Sequence, residues 1–268
     1  MTKYHRFHLV DPSPWPASAA GAVFTTVVGL VLGMHAYVGG FAIFVWGGFN
    51  TVMVAALWFR DIVREATFGG HHTRPVQQGL RMGFALFILS EVMFFVSFFW
   101  AYLWAALNPA IELGGVWPPT GVVPIHHSGM PAFGTHVLLT SGFALTWSHY
   151  ALMSGRLRLA FATLAYTCAL GVLFLGCQLD EFTNGCTYGI SDSVYGAAFF
   201  LTTGFHGTHV LVGTAFLLVC LARLRAGHFT PTRHLGLVSA IWYWHFVDVV
   251  WLGLYLLVYI WGPISRTK

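Results

Sequence analysis

A chain of 268 residues that is 57% apolar and only 8% charged has too few ionisable side chains to cover a water-facing surface, where soluble domains carry about 25% charged residues. An ordinary soluble enzyme is excluded, and a net charge of +4 is too small to point to nucleic acid. A polytopic membrane protein remains.

A bilayer core about 30 Å thick needs about 20 mostly apolar residues per helix. Seven stretches meet that length: 16–38, 41–59, 79–107, 131–153, 158–182, 193–222 and 236–261. The first follows Pro12, Pro14 and Pro16 and lacks a small-residue cleavage site, so it reads as a retained span rather than a removable signal. No Arg-rich transit peptide precedes it. All eleven prolines fall in tails, loops or span ends, which predicts helices without proline breaks.

Between the second and third spans, Arg60, Asp61, Arg64, Glu65, His71, His72 and Arg74 form a polar segment expected to be a loop. It reads either as ordinary solvated sequence or as an anionic head-group site, since Arg pairs well with phosphate and basic pockets between spans bind lipid heads. Arg223 and Arg225 end the sixth span on the same side and would help to close such a pocket.

The third span carries Glu91 among Phe87, Ile88, Phe94 and Phe95. An ionised carboxylate there is costly, so a neutral acid is expected, either handling protons or hydrogen-bonded to a neighbouring helix. The sixth span holds His206 and His209, and the seventh His245 and Asp248, each pair at i, i+3. Paired helical histidines can ligate metal. The Glu-x-x-His motif of di-iron bundles is absent, however, so interhelical hydrogen bonding is expected and no metal is assigned. Asp248 is expected to partner His245 or a facing helix. Cys168, Cys177, Cys186 and Cys220 show no paired spacing, and no disulfide framework is expected.

Seven spans put Lys3, Arg6, Arg60, Arg64, Arg74, Arg81, Arg156, Arg158, Arg223, Arg225 and Arg233 on one side, and only Arg266 and Lys268 on the other. Eleven against two places the amino terminus in the cytoplasm or matrix. Lys is confined to positions 3 and 268, which removes an intramembrane Schiff base. No Walker A loop, Gly-x-Ser-x-Gly or His-Glu-x-x-His occurs. Two rivals stay open on composition and spacing alone: an autonomous metalloenzyme using His206, His209 and His245, and a proton-coupled transporter with Glu91 as relay.

Five blocks then carry a resemblance: 60–72, 86–95, 112–121, 203–210 and 242–251. In order, and with Asp11-Pro12-Ser13-Pro14-Trp15-Pro16 ahead of them, they make the chain closely resemble subunit III of cytochrome c oxidase, its mitochondrial members in particular. The resemblance implies an all-α membrane protein forming one integral membrane domain over residues 1–268. Its seven transmembrane helices would form a two-helix plus five-helix V-shaped bundle, with phospholipids in the cleft. It implies a non-redox core subunit of respiratory complex IV in the mitochondrial inner membrane, amino terminus in the matrix and carboxyl terminus in the intermembrane space. That complex reduces oxygen with electrons from cytochrome c and pumps protons.

The implied subunit has no catalytic residue and binds no haem or copper, which sit in partner subunits. Its partners would be the haem-copper subunit I, other oxidase subunits, other respiratory complexes and membrane phospholipids, with no nucleic acid. It would stabilise the catalytic subunit and support proton uptake. Glu91 matches the family's carbodiimide-reactive carboxylate, and Trp58, Arg64, Glu65, His72 and Arg223 match its lipid-cleft positions. Phe59, Arg233, residues 154–158 and residues 181–190 depart from the family pattern.

Overall fold

A backbone in lipid must satisfy its own polar groups, which leaves a helix as the form for each apolar stretch. The computed structural model describes residues 7–111 and 114–264. Lys3, Arg6, Arg266 and Lys268 of the charge asymmetry, and Glu112 and Leu113 of the third block, lie outside the described residues. Seven long helices follow in order: α1 (Trp15–Met34), α2 (Gly40–Thr67), α3 (Arg74–Leu107), α4 (Met130–Met153), α5 (Leu157–Asp180), α6 (Val194–Arg225) and α7 (Leu235–Leu254). The helices α5 and α7 continue into wider π-type turns, Glu181–Gly185 and Tyr255–Trp261. Among the described residues no strand is present.

Three boundaries differ from the sequence expectation by four residues or more: α3 starts at Arg74 instead of 79, and α1 and α2 end elsewhere than expected. The first helix stops at Met34 instead of 38, because Ala36 (φ 59°) and Gly39 (φ 83°) take left-handed conformations and turn the chain into α2. The polar segment expected as a loop is helical up to Thr67. Arg, Glu and Ala are good helix formers, and Arg64 in the last turn complements the helix dipole. At 28 residues α2 is about 42 Å long, so its charged end extends beyond the roughly 30 Å hydrocarbon layer.

Among the described residues six helices are long and apolar enough to cross a membrane by length and composition; α4 is not among them. Its polar side chains are used inside the protein. Trp251 Nε1 donates to Thr135 Oγ1 at 2.9 Å, Trp244 Nε1 to Ser141 Oγ at 2.8 Å, and Ser148 Oγ to the Ala160 carbonyl at 2.8 Å. A helix that packs one face on protein need not be apolar all round, because hydroxyls on that face bond across helices.

The chain divides into two compact units with the boundary inside α3, between Leu80 and Arg81. In the first, α1 and α2 form a close hairpin. A β-carbon on Gly29 would strike the backbone of Ile43 and Phe44, one on Gly40 that of Leu32 and Gly33, and one on Gly47 that of Thr25 and Thr26. Such glycines let backbones approach and gain dispersion where no hydrophobic effect acts. In the second unit, α4 to α7 surround a core with Trp244, Trp251, Leu145, Leu164 and Leu217 fully buried. Large apolar side chains such as Phe24 (71%) and Phe143 (77%) stay exposed, the inverse of a soluble surface.

Gly29→Val should therefore force α1 from α2 and destabilise the hairpin by about 1–3 kcal/mol, as overpacking does. Thermal unfolding of the full chain in detergent, followed by circular dichroism, reads this directly. An unchanged midpoint would contradict the close approach.

Candidate functional site: carboxylates held between helices

Glu91 projects from the middle of α3 toward α6. Its Oε2 lies 2.9 Å from His209 Nε2. The other ring nitrogen, Nδ1, lies 2.6 Å from the Phe205 carbonyl. A carbonyl only accepts, so Nδ1 carries a hydrogen. The gap to Glu91 therefore holds one more hydrogen, on the acid or on the ring, and the pair is uncharged overall in either form. Phe94, Phe95, Tyr243 and Phe246 pack around the imidazole, with Tyr243 stacked on it at 6.3 Å. An uncharged pair in an aromatic sleeve tolerates a depth where a lone carboxylate is expensive.

The second pair follows the same logic. Thr146 Oγ1 donates to the Gly142 carbonyl at 3.0 Å, so it accepts from His245 Nε2 at 3.2 Å. His245 Nδ1 then faces Asp248 Oδ2 at 3.5 Å, again with one hydrogen to place. Asp248 is buried on α7, and its carboxyl fills the space a side chain on Gly142 would take.

His206 is fully buried and turns away from His209. Its Nε2 donates to the Val247 carbonyl at 3.2 Å, and its ring packs on Trp251 and Phe174. His206, His209 and His245 thus do not converge on a point, and a metal centre built from them has no geometry to use. Among the described residues, His8, Glu65 and His72 are the His/Cys/Asp/Glu group whose ligand atoms lie close enough to hold an ion, all within 4.8 Å of one another.

One buried carboxylate went unread in the sequence. Glu181 is 4% exposed at the π-type end of α5. It accepts through Oε1 from Gln178 Nε2 at 3.3 Å and from the Tyr259 hydroxyl, which sits in the π-type turn after α7. Widened turns re-aim side chains, and here two of them meet. The only sequence signal was Gln178 and Glu181 at i, i+3, at the edge of an apolar run.

The residues matched to lipid contacts lie in both units. In the first, Trp58, Arg64 and Glu65 occupy the end of α2, with Trp58 half-buried and Arg64 exposed. Asp61 binds Trp15 Nε1 at 2.9 Å and Arg60 at 3.0 Å, tying the start of α1 to this end. His72 lies in the following turn, where its carbonyl accepts from Gln77 at 2.9 Å. In the second unit, the Arg223 guanidinium lies 4.4 Å over the Phe229 ring. Its Nε is buried without a hydrogen-bond partner.

Comparison with known proteins completes the description. Residues 5–263 match the family model described as cytochrome c oxidase subunit III. The chain is 49% identical over 258 residues to the cytochrome c oxidase subunit 3 of Prototheca wickerhamii, covering 96% of this chain and 98% of the relative. It is 48% identical to the subunit of the same name from Arabidopsis thaliana, with 97% and 98% coverage, and 48% to that of Branchiostoma lanceolatum, with 98% and 100%.

The pair geometry sets an expected order of stability. Glu91→Gln keeps a donor for His209 Nε2 and should be nearly neutral, whereas His209→Leu leaves the acid without its partner and should cost about 1–3 kcal/mol. Equal thermal midpoints for both variants would refute the pairing. Outside the spans, burial and then the neighbouring Glu181 carboxylate push the half-buried Cys186 thiol up to about 11. Only the thiolate is nucleophilic. Iodoacetamide should therefore label Cys186 slowly at pH 8, with the rate rising about tenfold per pH unit toward 11; a plateau near pH 8.5 would contradict this environment.

Proposed function

The chain belongs to the cytochrome c oxidase subunit III family, and on that premise we propose how it serves the complex. It is a multi-pass inner-membrane subunit of the oxidase that reduces oxygen with electrons from cytochrome c, and not an enzyme on its own. Haem and copper are assigned to partner subunits, and this chain to stabilising the haem-copper subunit I, retaining phospholipid and sustaining proton uptake. All seven helices act as spans of one integral membrane domain, the first two grouped apart from the last five, with the amino terminus in the matrix. The eleven-to-two distribution of basic residues supports that orientation.

The observation that carries the non-redox reading is the pairing of each intramembrane acid. Glu91 and Asp248 each face an imidazole whose second nitrogen is already engaged. Such groups fasten helices together.

The lipid reading assigns Trp58, Arg64, Glu65 and His72 in the first unit, and Arg223 in the second, to anionic head groups. Arg223 supports it most directly, since its buried, unpartnered Nε–H suits a phosphate oxygen. In the purified oxidase, Glu91→Gln should leave assembly and turnover largely intact, while Arg64→Ala with Arg223→Ala should lower copurified anionic phospholipid. Loss of most turnover in the first variant, or unchanged phospholipid in the second, would overturn the corresponding assignment.

A further inference from the structure

Three potential metal-ligating side chains, His8, Glu65 and His72, gather at the end of α2. The helix closes at Thr67; Phe68 and Gly69 both donate to the Arg64 carbonyl, and Gly70 takes φ 59°. His71 N–H then reaches back to the Glu65 carbonyl at 3.0 Å, which folds the following residue, His72, beside the Glu65 side chain. From the other direction the segment before α1 is held by the Trp15–Asp61 bond and lays His8 across the same place. The His8 ring stacks on His71 at 4.8 Å and sits 6.2 Å from the His72 ring.

His8 Nδ1 is 3.8 Å from Glu65 Oε2. That is beyond hydrogen-bonding distance, yet the ligand atoms of His8, Glu65 and His72 all lie within 4.8 Å of one another. Two imidazoles and a carboxylate converging at this spacing match the donor set of zinc proteins with three protein ligands and an open position.

We propose that His8, Glu65 and His72 bind one divalent transition-metal ion of the zinc type, with water completing its coordination. Ligand bonds of about 2.0–2.2 Å set tetrahedral ligand–ligand distances near 3.4 Å. The trio therefore has to draw in by roughly 1 Å, and His8 supplies that movement because its segment is not helical. Mixed imidazole and carboxylate donors suit zinc, whereas magnesium and calcium prefer all-oxygen sites. Glu65 provides the negative charge, and the His8 side chain is only 14% exposed, so the ion would be partly shielded from competing water. Arg60 is already paired with Asp61, which removes one nearby cation from competition.

The inference does not depend on the lipid reading, although Glu65 and His72 appear in both; His8 belongs to this one alone. The test loads chelator-washed oxidase containing this chain with buffered zinc ion and counts zinc per haem by mass spectrometry. The wild-type complex should retain one more zinc than His8→Ala or His72→Ala, and Glu65→Gln should weaken binding by more than about tenfold, the least that loss of even an outer partner costs a metal site. Equal zinc in wild type and His8→Ala overturns the site. Zinc-edge anomalous scattering from the wild-type complex decides independently of how the variants assemble: a peak among the three side chains supports the site, and its absence overturns it. Copurified phospholipid should be unchanged in His8→Ala and reduced in Arg64→Ala, so failure of one reading is distinguishable from failure of the other.

Discussion

The membrane imposes one demand on this chain that organises its interior: an ionisable side chain inside the spans must reach a partner that leaves the combination uncharged. Glu91 meets it with His209 and Asp248 with His245. In both cases the imidazole's other nitrogen is held as a donor, by the Phe205 carbonyl and by Thr146 Oγ1. That second contact is as important as the first. It fixes which ring nitrogen faces the acid, and so fixes the number of hydrogens in the gap at one. Removing either partner would strand a polar group in a place that water reaches poorly.

The same demand explains the composition of α4. Lipid-facing helices in this chain are almost wholly apolar, but α4 presents Thr135, Ser141, Thr146 and Ser148 to its neighbours. The two largest buried indoles, Trp244 and Trp251, each need an acceptor for their N–H and find it on α4. Hydropathy leaves this helix out because these polar side chains, which bond within the protein, dilute its apolar ones. The hairpin of α1 and α2 meets the problem by the opposite means, with glycines and threonines that bring backbones close and almost no buried charge.

A helix-rich membrane protein is legible in its sequence to an unusual degree, because the bilayer reduces the choice of backbone to one form. The seven apolar stretches appear as seven helices, most of their ends within a few residues of those expected, with α2 running eight residues further. The errors lie where lipid stops deciding. Beyond the hydrocarbon layer α2 continues through Arg60 to Thr67 on helix propensity and the contacts of Asp61 with Trp15 and Arg60, and α1 ends early at a left-handed Ala36. Glu181 escaped notice because it sits at the edge of its span, and its partner Tyr259 is 78 residues away. No periodicity links two widened turns on different helices.

Apolar length, the placement of proline and the scarcity of charge determined by themselves that this chain is a bundle of membrane helices, and the five sequence blocks determined its family. Each of those properties is local, summed along a few turns of one helix. That Glu91 meets His209 was decided only by the packing of α3 against α6, since the two are 118 residues apart. The gathering of His8, Glu65 and His72 likewise needed a helix end, a reversing turn and an amino-terminal segment to arrive at one place. Hydrogen bonds and ligand contacts act over about 3 Å, and only the folded chain brings such distant residues within that range.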